Sequence, residues 1–72
     1  MQFIGAIRDR RAAERHAEAM AKQCQCTVVL EKAKCRNPGE RSSHVCYRGW
    51  MDRDSKTPRV IKEYEKNSRR RR

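Results

Sequence analysis

The residues able to do chemistry crowd into one stretch, Gln23 to Trp50, which holds all four cysteines and His44. Cys24-x-Cys26 and His44-x-Cys46 look like two ligand pairs. Together they would make a Cys3His set, a known structural zinc combination. The usual finger and ribbon sites instead space paired cysteines by two to four residues. Distance also argues against a shared ion. A hairpin turning at Pro38–Gly39 sets Cys46 opposite Glu31, about 17 Å along the strand from Cys26 at ~3.3 Å per residue. Cys35, His44 and Cys46 are a nearer metal set, but they supply only three ligands, and Cys35 lies diagonally from His44 in that register. Zinc is therefore a weaker expectation than no cofactor. Disulfides require Cα atoms within roughly 7 Å. The favoured reading takes the thiols as small buried hydrophobes.

His44 beside Cys46 could form a nucleophile–base pair. No orienting third group or oxyanion-binding loop accompanies it. There is no phosphate-binding glycine loop, dinucleotide fingerprint or HExxH. The chain is therefore expected to be no enzyme.

Charge is the stronger signal. Nineteen Lys and Arg face nine Asp and Glu, a net +10. Arg8, Arg10, Arg11 and Arg15 form one cluster. Lys56, Arg59, Lys66, Arg69, Arg70, Arg71 and Arg72 form a second. Such clusters track phosphates without reading sequence, and Trp50 or Tyr47 could stack on unpaired bases. The expected function is a small nucleic-acid-binding or ribonucleoprotein accessory protein. The expected partner is nucleic acid or an acidic protein surface. The alternative is a protein-interaction module or regulatory subunit, acting as a homodimer or in a larger assembly. The competing view of Trp50 and Tyr47 is that both are core residues, and that of the arginines is a solvated tail.

No apolar run approaches the ~20 residues of a membrane span. "MQFIGAI" is too short for a signal-peptide core and lacks a preceding basic stretch. The expected location is the cytoplasm, where thiols stay reduced.

These groups must be held by a short scaffold, which buries only about 60% of the surface its unfolded form exposes. Gln2 to Ile7 reads as a strand. Asp9 can cap a helix over residues 9–23, whose Ala13, Ala17, Met20 and Cys24 share a face. Residues 26–33 and 43–50 alternate with period two, as strands do. "NPGE" between them suits a type II turn. Thr57 and Pro58 read as the start of a second helix carrying Val60, Ile61 and Tyr64, with a strand as the rival. The expected fold is a small α+β domain, β-α-β-β-α. It has a three-stranded mixed sheet of order 2-3-1 and both helices on one face. This order resembles half of a ferredoxin-like fold. Residues 1–67 form the expected domain and 68–72 a basic tail.

Overall fold

The computed structural model describes residues 1–65. It contains β1 (Gln2–Ile7), α1 (Arg10–Cys24), β2 (Thr27–Cys35), β3 (His44–Asp52) and β4 (Arg59–Lys62). The sheet has four strands in the order β1-β3-β2-β4. β3 is antiparallel to both β1 and β2, and β4 runs parallel to β2.

The helix forms where its cap and its alanines predict. The Ala12 N–H donates to Asp9 Oδ2 at 2.9 Å, which satisfies one of the orphan amides of the first turn. Ala13, Ala17 and Ala21 are buried at intervals of four, so α1 lies close on Val28 and Leu30 of β2. The helix stops at Gln25, which takes a left-handed φ of 57°. Its backbone N–H and that of Cys26 both return to the Ala21 carbonyl. The chain thus turns from helix to strand without a glycine.

The expected relative order 2-3-1 is present, with β3 between β1 and β2, but the expected three-stranded sheet is corrected to four strands because β4 adds to the outer edge of β2. The crossover makes β1 parallel to β2, but its actual neighbour is the antiparallel β3. The expectation of a helix starting at Pro58 is corrected. Residues 59–62 are β4, and a helical turn begins only at Glu63. The reason is the free edge of β2. Thr27, almost fully buried, donates through Oγ1 to the Thr57 carbonyl at 2.9 Å and shares a 2.7 Å hydrogen bond with Ser55 Oγ. These bonds draw the β3–β4 connection across the start of β2. β-branched Val60 and Ile61 then pair with Val28 and Val29. Pro58, which has no N–H to offer a ladder, falls just before the strand.

The β2–β3 register is also corrected. Cys35 pairs with His44 and Ala33 with Cys46, two residues beyond the expected alignment. A shift of two keeps every side chain on its face. It also sets Cys35 diagonally beside Cys46. The turn itself is as expected: Glu40 N–H returns to the Asn37 carbonyl at 3.0 Å, with Gly39 at φ 91°.

The cysteines therefore depart from the buried-thiol reading. Cys24 is bonded to Cys26 and Cys35 to Cys46, with Cα separations of 5.2 and 5.9 Å. Both separations lie in the range a disulfide accepts. The spatial argument against a shared ion holds: Cys26 precedes Thr27, whereas Cys46 pairs with Ala33, about 23 Å away at ~3.3 Å per residue.

One face of the sheet is closed by α1. Ile4, Ile7, Tyr47, Val60 and Tyr64 pack around the alanine stripe, with Tyr47 and Tyr64 in an edge contact at 5.4 Å. The Tyr64 hydroxyl donates to Glu14, which also lies 3.7 Å from both Arg10 and Lys62. The Tyr64 bond, then Lys62 and Arg10, hold the Glu14 carboxyl below its usual range despite the opposing cost of burial. Its stabilisation is therefore present above the ordinary glutamate value, about 4.3, and is lost as pH falls through the depressed folded value. The melting temperature is expected to drop below pH ~4.3 less steeply in Glu14→Gln than in the parent chain. Tyr64→Phe should cost about 1 kcal/mol at pH 7. Thermal melts across pH 2.5–7 check both.

Candidate nucleic-acid interface

The other face of the sheet is not covered by the helix. Because side chains alternate along a strand, those that do not pack on α1 must project to this side. They include Val29 and Glu31 of β2, Cys46, Arg48 and Trp50 of β3, and Ile61 of β4, of which Val29 and Cys46 are buried.

β1 adds Phe3 by an irregularity. Phe3 pairs with Trp50, but Gly5 pairs with Gly49, so a bulge lies between them. Strict alternation would put Phe3 and Ile7 on the same face. With the bulge, Ile4 and Ile7 both reach the core and Phe3 stays on the open side. Gly5 adopts φ 140°, which side-chain-bearing residues rarely reach. Gly49 is kept small by Ile4, whose Cγ1 would lie 3.0 Å from an added Cβ.

On this face, between the edge strand β1 and its neighbour β3, the Phe3 and Trp50 rings are 5.0 Å apart and tilted by 59°. The Arg48 guanidinium lies 5.9 Å from the Phe3 ring centre and 5.5 Å from that of Trp50. Such distances permit cation–π attraction to both rings. The Trp50 indole N–H donates to Glu31 Oε2 at 2.8 Å, and Arg48 Nε lies 3.6 Å from the same oxygen. Phe3 is 49% exposed, an unusual placement for the only phenylalanine in the chain. Met1, Val29 and Trp50 line a shallow groove together with Glu31 and Glu63.

The expected site residues divide among three places. Trp50 is on the open face and Tyr47 under the helix, so the core reading holds for Tyr47. Arg8, Arg10 and Arg11 are exposed at one end of the sheet, where α1 begins and the β2–β3 hairpin ends. Lys34, Arg36 and Arg41 of that hairpin add charge at the same end. Glu40 moderates it. Its carboxyl is held low chiefly by the Asn37 N–H, with His44 and Arg8 contributing. Arg15 faces outward from α1 beside Arg11, Glu14 and Glu18, so acids dilute this part of the cluster. Lys56 and Arg59 are exposed at the opposite end of the sheet. Lys66, Arg69, Arg70, Arg71 and Arg72 lie outside the described residues, as does the expected tail.

The metal candidates do not assemble. Cys35 and Cys46 are joined to each other, and His44 Nδ1 lies 3.3 Å from Glu40 but is misaligned for a hydrogen bond. Among the described residues no group of three or more His, Cys, Asp or Glu side chains is arranged to hold an ion. Among them, too, no helix is long and apolar enough to cross a membrane.

Phe3, Arg48 and Glu31 were missed as site residues from sequence. Arg48 and Trp50 carried a legible signal, since residues two apart on a strand share a face. Phe3 carried none, because the bulge reverses its expected side. No family model matches this chain, and no curated protein or solved structure gives a significant match.

Proposed function

We propose that this chain binds single-stranded nucleic acid across the open face of its sheet, as a small non-catalytic accessory protein. The observation that carries the reading is the pairing of exposed Phe3 with half-buried Trp50, with Arg48 beside both rings. Unpaired bases stack on such rings, and a nearby guanidinium serves the phosphates between them. A net charge of +10 supplies the long-range attraction. The basic residues at the two ends of the sheet would receive the strand as it enters and leaves.

A second reading rests on the same face. Exposed Met1 and Phe3, with half-buried Trp50 and Ile61, also make an apolar surface that a protein partner or a second copy could cover. The oxidised chain suits an oxidising compartment, whereas the cytoplasm suits its reduced form.

The chain has a single tryptophan, so its fluorescence reports directly on this face. Titration with a 12-nucleotide oligouridine at 50 mM salt is expected to quench it. Phe3→Ala should weaken binding by about 1–3 kcal/mol, the usual worth of one stacked base. Trp50→Ala should do the same, read by anisotropy of a labelled oligonucleotide. A chain that binds no oligonucleotide at 50 mM salt, yet sediments as a stable dimer, would replace this reading with the second.

A further inference from the structure

The open face offers more than stacking. Glu31 stands on β2, directly across from Arg48 and diagonal to Trp50. Both of its contacts use one oxygen, Oε2, which takes the indole N–H and the Arg48 Nε. The Glu31 side chain is 36% exposed and that of Arg48 40% exposed. Oε1 is committed to neither contact, and Arg48 keeps its terminal Nη groups outside the Glu31 contact. An acceptor at the edge of the Trp50 ring and a donor over its face therefore stand side by side, next to where a base would stack.

We infer that Glu31 and Arg48 read the Watson–Crick edge of a guanine stacked on Trp50, an inference that rests on the nucleic-acid reading above. A carboxylate only accepts hydrogen bonds, and a guanidinium only donates them. Guanine presents two neighbouring donors, N1–H and the N2 amino group, followed by the O6 acceptor. The donors match Glu31 and O6 matches Arg48. Adenine would turn its N1 lone pair towards the carboxylate. Cytosine offers one amino group beside an acceptor, and uracil a single N–H between two carbonyls. Each of these leaves Glu31 facing an acceptor, which a low-dielectric stacked site penalises. Single-stranded bases are commonly read on this edge, since no partner strand occupies it. A bare phosphate-tracking surface has no use for a carboxylate there, because it would repel the strand.

The test uses 12-nucleotide uridine oligonucleotides with one central guanosine, adenosine or inosine, and their deoxy counterparts on a thymidine background. The intact chain is expected to prefer guanosine over adenosine roughly ten- to hundredfold. Inosine, which lacks the N2 amino group, should fall between. Glu31→Gln keeps an oxygen for the Trp50 N–H, so its melting temperature should stay near that of the parent. It should bind oligouridine more tightly, since a repelling charge is gone, and lose the guanosine preference. Equal affinity for guanosine and adenosine in both backbones, with oligouridine still bound, would overturn the inference and leave the nucleic-acid reading intact. A guanosine preference that survives Glu31→Gln would overturn the role of Glu31. No binding to any of the oligonucleotides would overturn both readings together.

Discussion

Raising salt from 50 to 200 mM is expected to weaken oligouridine binding roughly 300-fold if six phosphates are neutralised, with a log–log slope near −4 for a single strand. The estimate follows from counterion release, which makes affinity fall with the number of charges engaged. The chain carries ample cations for this, nineteen Lys and Arg against nine acids. The exposed ones include Arg8 and Arg36 at one end of the sheet and Lys56 and Arg59 at the other. A strand lying across the open face meets both ends, so losing one end should flatten the slope without abolishing binding. Replacing Lys56 and Arg59 by Gln is expected to reduce the slope by about 1.4, at ~0.7 per phosphate contact. Fluorescence titrations at four salt concentrations measure both quantities. A slope near zero would show that the +10 charge has no part in binding.

Reduction of the disulfides should cost roughly 3–4 kcal/mol, the larger share of it from Cys35–Cys46. That bond closes the hairpin across residues 36–43, and it restrains the unfolded chain more than the three-residue Cys24–Cys26 link can. A domain of this size has only about 3–5 kcal/mol of stability to lose. The melting temperature should fall by roughly 10–20 °C in dithiothreitol. The double variant Cys35→Ser/Cys46→Ser should reproduce the larger part of the fall. Cys24→Ser/Cys26→Ser should reproduce only the smaller part of it. Alkylation before and after reduction counts the thiols independently. An unreduced protein that labels at four cysteines, with an unchanged melt in dithiothreitol, would rule the bonds out.

The two predictions meet on one face. Cys46 and Arg48 are two apart on β3, so the disulfide anchors the strand that carries Arg48 and Trp50. Reduced protein is therefore expected to lose binding when the hairpin loosens, a coupling that titration in dithiothreitol would reveal.

Residues with strong local preferences announced their own structure. Gln2–Ile7 appeared at the expected bounds, and α1 within a residue of them, because an Asp cap and an alanine stripe act within one turn of where they stand. The Asn37–Glu40 turn followed from Pro38 and Gly39 in the same way. The basic surface needed no fold at all, since net charge is a sum over residue types. What the sequence could not weigh were choices between distant segments. Residues 59–62 became a strand because β2 had an open edge and Thr27 fastened Ser55 and Thr57 beside it. Cys35 met Cys46 only because the hairpin slid by two residues, and neither alternation nor the turn specifies such a slide. Phe3 joined Trp50 because a bulge between Phe3 and Gly5 turns Ile4 and Ile7 inward together. Local propensity set the elements and charge set the attraction. Pairing and burial, which depend on residues far apart in the chain, decided which side chains share the open face.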